Sequence, residues 1–413
     1  MTVTTVPAAR GERDAAVTAL VGVAHYSSHV MQLALPPLFP ILHDEFRVGF
    51  TELGLIVTLF YAASGLGQAA AGVLVDRYGA QRLLVAGVTL LAGSIVAAGM
   101  VGSYGMLLPL AVLGGLGNSV FHPADLSILS HRISEGRLGR AYAAHSVAGT
   151  LGYATAPVLI TALAAYGNWR LALGAVGIAG LAVAVLLQLN RGVLIYAHAA
   201  SARPAEAGPR HLAYLRLVGS PVVLMAFAYF AMTAFAGSGM QTFSITTLAS
   251  GYGVPLSVAT LGLTGYLVGS AGGMVLGGVL ADRTRHPHRV AMGGIAVAGS
   301  LMLVLSAVAG YAPAVVPVMM LAGMANGITA PSRDVLIRRA AAGAGMGSVF
   351  GFVYSGFDLG SSVAPLLFGA LLDHHAPHAV FVVVALAFAL GVPTVMQVQH
   401  RSAKRRAAPA GAD

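Results

Sequence analysis

Long apolar stretches recur along the whole chain and constrain its fold more than any other feature. A helix that crosses a bilayer needs about 20 consecutive, mainly apolar residues. The sequence therefore predicts an all-α polytopic protein of the lipid bilayer, with twelve transmembrane helices. The predicted spans lie at residues 15–42, 51–74, 81–102, 106–130, 138–165, 169–189, 221–248, 256–281, 289–310, 313–337, 345–371 and 377–398.

The composition agrees with a membrane environment. Hydrophobic residues make up 57% of the chain and charged residues only 9%, whereas roughly a quarter of the residues in a soluble domain are charged. The 53 glycines fit the same class, because small residues let membrane helices pack closely. Cysteine is absent, which excludes disulfides, thiolate metal sites and thiol catalysis.

One long polar segment divides the chain into two sets of six spans. The first apolar run is longer than the core of a signal peptide, about 7–15 residues, and is predicted to be the first span. The predicted organisation is an N-terminal cytosolic tail at 1–14, a six-helix bundle at 15–189, a central cytosolic loop at 190–220, a second six-helix bundle at 221–399 and a basic cytosolic tail at 400–413.

The positive charges predict the orientation in the membrane. If the N-terminus is cytosolic, 21 of the 23 Lys and Arg residues (23 − 2) fall on the cytosolic side, and only Arg47 and Arg170 fall outside. Cytosolic loops of membrane proteins carry such an excess. We therefore expect a bacterial inner-membrane protein with both termini in the cytosol. The net charge of +9 then reflects orientation, and nucleic acid is not an expected partner.

The two halves repeat each other. Asn118 and Pro123, in the fourth predicted span, recur as Asn326 and Pro331 in the tenth, both at an offset of 208 residues (326 − 118; 331 − 123). Parallel six-helix halves of this kind are a known transporter architecture, with substrate held near the midplane between them.

Several motifs carry a family resemblance that covers nearly the whole chain. The stretch GVLVDRYGAQR, from Gly72 to Arg82, resembles the loop 2–3 signature of the major facilitator superfamily. GTLGYATAP, at 149–157, resembles the glycine–proline motif of that superfamily. SVFHP at 119–123 and GRLG at 136–139, together with His25 and Gln32, resemble its fosmidomycin-resistance-like branch. The resemblance implies two bundles that rock about a central cavity.

The resemblance also implies a cytosolic gate. Asp76 would pair with Arg338 or Arg339 across the pseudo-two-fold axis, and Asp282 with Arg137 or Arg140. Alternatively, these charges only fix the topology. The predicted gate residues are Gly72, Asp76, Arg77, Gly79, Arg82, Arg137, Arg140, Asp282, Arg283, Arg338 and Arg339.

Ionisable side chains inside spans are costly and usually mark a pathway. His25 and His29 are four residues apart and share a helix face, as do His122 and Asp125, three apart. The candidate substrate and proton pathway comprises His25, His29, Gln32, Asn118, His122, Asp125, His145, Gln241, Asn326, Tyr354 and Asp358.

Four interpretations of the histidines stay open. They carry protons, with Asp125 tuning them, since histidine titrates near neutral pH. They hold an anionic substrate. His25, His29 and His122 bind a transition metal. Or they make packing contacts between helices. We favour proton transfer and expect no bound metal or other cofactor.

The second half offers fewer polar groups. Asp358 is a second candidate proton carrier, or it pairs with Arg333 or bridges two helices. Glycines and prolines at repeated positions predict close helix approach and bending, and they are Gly149, Gly152, Pro157, Gly356, Gly360 and Pro365.

The sequence therefore predicts a secondary transporter and not an enzyme. We expect a monomer that moves a small organic molecule by alternating access, with efflux in exchange for protons as the implied direction. One alternative is proton-coupled uptake of a small organic anion. Another, from a different class, is a membrane receptor or assembly factor that transports nothing.

Overall fold

The computed structural model describes residues 10–196, 219–284, 286–340 and 346–407. Within these ranges the regular elements are helices, which confirms the all-α fold class. In the first half they are α1 (Arg10–Gln32), α2 (Phe39–Phe46), α3 (Phe50–Tyr78), α4 (Ala80–Ala98), α5 (Leu107–Asn118), α6 (Phe121–Arg132), α7 (Glu135–Tyr166), α8 (Trp169–Leu189) and the short α9 (Arg191–Leu194).

Six long helices follow in the second half. They are α10 (Pro221–Thr246), which continues as a π-helical turn at Thr247–Gly251, α11 (Leu256–Arg283), α12 (Pro287–Val308), α13 (Ala312–Ala340), α14 (Met346–Asp373) and α15 (Pro377–Ala407). Eleven helical segments in the described ranges are long and apolar enough to cross a membrane. Helix α1 is not among them, since it is polar for a span and carries His25, His29 and Gln32.

The prediction of one continuous first span at 15–42 is wrong. Helix α1 ends at Gln32, a 3₁₀ turn covers Pro36–Leu38, and α2 begins at Phe39. The two prolines at 36 and 37 lack the N–H groups that a continuing helix would need, so the chain breaks before them.

Helical structure reaches into both predicted tails. Helix α1 begins at Arg10, and Asp14 at its second turn is 7% exposed. Residues 1–9 lie outside the described part of the chain. At the other end, α15 continues through Ala407 into the predicted basic tail.

The fourth predicted span is interrupted, as its proline suggests. Helix α5 ends at Asn118 and α6 begins at Phe121. Pro123 has no N–H to donate to the carbonyl of Ser119, so the helical ladder opens at this point. The interruption places the Asn118 side chain at the end of one helix and His122 at the start of the next.

The chain forms two compact units. The first contains Met1–Ala34 and Ala63–Ala202, and the second contains Leu35–Ala62 and Arg203–Asp413. The segment 35–62 belongs to the first half in sequence but packs within the second unit. Helix α3 therefore contributes residues to both units. The bundle limits at 15–189 and 221–399 stay predictions.

Glycines bring α11 and α13 into backbone contact in the second unit. A Cβ atom on Gly323 or Gly327 would meet the carbonyl oxygens of Tyr266 or Ser270 on α11, and one on Gly273 would meet that of Met324 on α13. Small residues on both helices permit this approach. The glycine-rich stretch of α11 therefore serves helix packing.

Candidate functional site

Two glycines of α7 bring α1 close enough to build the site. A Cβ on Gly149 would lie 2.7 Å from Cδ2 and Nε2 of His25 and 3.0 Å from Cε1 of His29. One on Gly152 would meet the carbonyl oxygen of Tyr26 and lie 2.9 Å from Cβ of His29. The predicted role of both glycines in close helix approach therefore has a direct geometric basis in this unit.

A buried carboxylate contacts two imidazoles in the first unit. Asp125 is 0% exposed, His25 3% and His145 6%. The distance from Asp125 Oδ2 is 3.0 Å to His145 Nε2 and 3.4 Å to His25 Nδ1. The two imidazole rings stack at 3.7 Å between centroids. We call His25, Asp125 and His145 the imidazole–carboxylate cluster.

The other two predicted histidines border this cluster. The ring of His29 lies 4.4 Å from that of His25, and the ring of His122 lies 5.4 Å from it, between centroids. The structure thus brings together all four histidines predicted in spans, from α1, α6 and α7. Asp125 Oδ1 is buried and has no hydrogen-bond partner in the described ranges.

A chain of neutral polar groups adjoins the imidazoles. Gln32 Nε2 donates to Asn118 Oδ1 at 2.8 Å, and Asn118 Nδ2 donates to Ser64 Oγ at 2.9 Å. The hydroxyl of Tyr153 donates to Gln32 Oε1 at 2.7 Å. The Tyr153 ring also lies 4.1 Å from the His29 ring. We call Gln32, Asn118, Ser64 and Tyr153 the amide chain.

The structure groups a different set of candidate metal ligands from the set that the sequence suggested. Among the described residues, one atom each of His25, Asp125 and His145 lies within 4.8 Å of the others, which is compatible with a metal ion. The sequence had instead suggested His25, His29 and His122. Two imidazoles and a carboxylate could hold a transition metal. Of their mutual contacts, only that between His145 Nε2 and Asp125 Oδ2 is a hydrogen bond, and Nδ1 of His25 has no hydrogen-bond partner among the described residues.

The predicted gate is only partly described. Asp76, Arg77 and Arg82 are exposed, and Gly79 adopts a φ of +93° between α3 and α4. This backbone conformation favours glycine. Arg137 contacts Asp14 at 3.7 Å. The side chains of Asp282, Arg338 and Arg339 lie outside the described part, so the predicted pairings stay predictions. Of the remaining gate residues, Gly72 lies within α3, Arg140 lies within α7, and Arg283 is the last residue of α11.

The other predicted pathway residues lie in the second unit, where their described side chains form no cluster of this kind. Asn326 Nδ2 donates to Tyr266 Oη at 3.2 Å. Asp358 on α14 and Gln241 on α10 are both half-buried, and the side chains of Tyr354 and Arg333 lie outside the described part. Gly356 and Gly360 pack against the α10 backbone, near Phe227 and Ala231, as their sequence positions suggest.

Sequence reasoning missed three polar contributors to the first unit. Tyr153 and Ser64 complete the amide chain, and Asp14 accepts a 2.7 Å hydrogen bond from Ser134. Tyr153 lies one residue after Gly152 in the glycine–proline motif, which was interpreted as mechanical. Its spacing of four from Gly149 was the signal that placed it on the α1-facing side of α7.

The chain has many membrane-spanning helices, two related halves and buried ionisable groups. This is the architecture of a membrane transporter. Comparison with known proteins gives the family. The Major Facilitator Superfamily profile matches residues 19–331 and 231–412, and this chain belongs to that superfamily. Family membership identifies a transporter and not an enzyme.

Individual relatives agree with this assignment. The chain is 28% identical over 389 residues to the fosmidomycin resistance protein of Escherichia coli K12, covering 92% of each chain. Its fold is similar to that of a bacterial homolog of the human lysosomal transporter Spinster, with a TM-score of 0.77, 16% identity and coverage of 96% and 99%. The nucleoside transporter NupG gives a TM-score of 0.74 at 13% identity, with coverage of 92% and 99%.

Proposed function

We propose that this transporter exports a small organic compound in exchange for protons. In this proposal the imidazole–carboxylate cluster carries the proton, and the amide chain contacts the substrate. The transport class is given by the family. The direction, the coupling ion and the substrate are the parts that we propose.

The buried carboxylate of Asp125 carries the proposal. With both imidazoles neutral, Asp125, His25 and His145 together bear one negative charge away from water. One added proton makes the cluster neutral overall. An Asp inside a spanning helix costs ~2.5–3.5 kcal/mol on insertion scales, so such a group is usually functional. A single proton that is gained and lost at this point would change the local charge by one unit.

The neighbouring amide chain supports a substrate site beside the proton site. Gln32 and Asn118 are half-buried, so each can present part of its carboxamide to a bound molecule. Tyr153 contacts Gln32 through its hydroxyl and His29 through its ring, and His29 borders the imidazole–carboxylate cluster. A substrate that moves Gln32 would therefore disturb the imidazoles through one shared side chain. Export is favoured by the likeness to a fosmidomycin resistance protein.

The test uses purified protein in liposomes that contain a pH-sensitive dye. Fosmidomycin is the first probe, followed by other phosphonates, carboxylates and amphipathic drugs. We compare the wild type with Asp125→Asn and His145→Gln, which remove the titrating groups while preserving shape. His131→Gln is the matched control, because His131 lies on the same α6 helix, is exposed and is outside the cluster. We expect both cluster variants to lose substrate-driven proton flux and the control to keep it.

The direction of proton flux distinguishes the alternatives. In exchange, the compound and the protons cross in opposite directions, whereas in coupled uptake of a small organic anion they cross together. Compound movement without proton movement in the wild type would refute proton coupling and leave the histidines as substrate contacts or packing groups. A wild type that moves none of the probes would favour the receptor or assembly alternative.

A further inference from the structure

The residue that precedes α3 has no side chain to cap the first turn of the helix. Gly49 occupies the position before Phe50, and glycine offers no acceptor for the free N–H groups of a helix start. The carboxylate of Glu52 accepts from the N–H of Gly49 at 2.5 Å. The N–H groups of Phe50 and Thr51 still need partners.

A carboxylate from α14 provides the acceptors for these two N–H groups. Asp373, the last residue of α14, accepts from the N–H of Phe50 at 2.7 Å and from the N–H of Thr51 at 2.9 Å. Its Oδ2 also accepts from the Thr51 hydroxyl at 2.5 Å. A Cβ on Gly49 would lie 2.9 Å from this oxygen, so glycine leaves room for the distant cap.

The contact continues as a closely packed seam within the second unit. One turn back from Asp373 on α14, Gly369 packs against the carbonyl oxygen of Phe50. One turn further along α3, Gly54 packs against that of Pro365. We call this contact between residues 50–58 and 362–373 the α3–α14 seam. At its far end, the hydroxyl of Thr58 donates to the carbonyl of Ser362 at 2.7 Å.

The repeat of the chain does not reproduce this cap. The offset of 208 residues relates Asp373 to Ala165 (373 − 208 = 165), which has no carboxylate. The helix that corresponds to α3 is α11, whose N-cap residue, Pro255, makes no side-chain capping bond. Asp373 is therefore an addition to the second half and not a general consequence of the fold.

We propose that Asp373 is a gating residue of the transport reaction, whose carboxylate holds the α3–α14 seam closed on the outer side of the membrane. Alternating access requires a seam at the outer ends of the helices to part and close again in each cycle. Asp373 is exposed, so water can replace it on the N–H groups of Phe50 and Thr51 when the seam parts. The contact is thus reversible, and it does not depend on which ion drives transport.

The absence of cysteine gives a direct assay, because one introduced thiol is the only one present. Thr58→Cys, inside the seam, is placed in every protein compared. Its reaction rate with a membrane-impermeant maleimide reports how often the seam is open. Loss of a helix cap shifts an equilibrium by about two- to thirtyfold. We expect Asp373→Ala, which removes the acceptor, to raise the labelling rate by that factor, with Asp373→Glu lying between Asp373→Ala and the wild type.

Two further variants decide between gating and simple helix stabilisation. Asp44→Ala, the same substitution at an exposed position on α2, should leave the rate unchanged. Gly49→Ser combined with Asp373→Ala gives α3 a cap of its own but no bond to residue 373 of α14, and it should label as fast as Asp373→Ala alone. Labelling of Asp373→Ala at the wild-type rate would overturn the proposal. So would wild-type labelling of the double variant, since Asp373 would then only stabilise the first turn of α3.

Discussion

The contact between Gly149 and His25 allows one prediction to be worked through in detail. Gly149→Ala adds a Cβ that would lie 2.7 Å from the His25 ring, where ordinary contact begins at 3.4 Å. The ring must therefore move by about 0.7 Å (3.4 − 2.7), because the α7 backbone is fixed by its own ladder. His145 stacks on the same ring at 3.7 Å and limits its movement.

The expected magnitude follows from overpacking. Extra methyl groups in a well-packed core cost about 1–3 kcal/mol, and replacement of a helical glycine by alanine returns about 0.5–1 kcal/mol. Gly139→Ala is the matched control on the same helix, since no atom lies within 4 Å of its Cβ position. Both variants gain the same helix propensity, so their difference isolates the strain at His25.

The assay compares the thermal stability of the two variants in detergent and their proton-coupled flux in liposomes. We expect Gly149→Ala to be less stable than Gly139→Ala by about 1–3 kcal/mol. Its flux should fall by about tenfold, because the His25 contact with Asp125, 3.4 Å in the wild type, is displaced. Equal stability and equal flux in the two variants would refute the view that Gly149 sets the position of His25.

Three further predictions concern single contacts. Tyr153→Phe keeps the ring but removes the hydrogen bond to Gln32, so half-saturation for substrate should rise several-fold in the flux assay while the protein folds normally. Gly79→Ala, at a φ of +93° and a ψ of +137°, should lower stability by about 1–3 kcal/mol, read as a lower melting temperature. Asn168→Ala removes the cap that accepts from the N–H of Leu171 and should cost about 1 kcal/mol in the same measurement.

A specific result would contradict each of these three predictions. Unchanged half-saturation in Tyr153→Phe would remove the amide chain from substrate binding. Gly93→Ala is the control, because Gly93 lies within α4 and no atom lies within 4 Å of its Cβ position. If the two alanine variants melt at the same temperature, backbone strain at Gly79 is not the cause. Asn168→Asp retains a capping acceptor and should keep the stability that the alanine variant loses.

The buried site was largely predictable, because it depends on helical periodicity. His25 with His29, and His122 with Asp125, share helix faces by spacing alone, and polar groups in apolar spans must face one another or a cavity. The contact of His145 with Asp125 needed the packing of α6 and α7. Tyr153 was missed because its hydrogen bond to Gln32 depends on the distance between α1 and α7, which the two glycines set.

The breaks within predicted helices and the contacts between residues far apart in the sequence were less predictable. Hydropathy joined residues 15–42 into one span, although Pro36 and Pro37 end the helix locally. The partner of Asp373 lies 322 residues away in Thr51, and no local pattern connects an exposed carboxylate with a glycine at a distant helix start. Such contacts become visible only when the tertiary arrangement is known.

The α3–α14 seam has a consequence for the order of events during biosynthesis. Ribosomes add about 5–20 residues per second, so about 16–64 s separate the synthesis of Thr51 from that of Asp373. Over that interval the start of α3 has been made but its distant cap has not. A nascent chain that ends before α14 therefore lacks the cap on α3 entirely. The second unit can be completed only when nearly the whole polypeptide has left the ribosome, although one of its segments was among the first to be made.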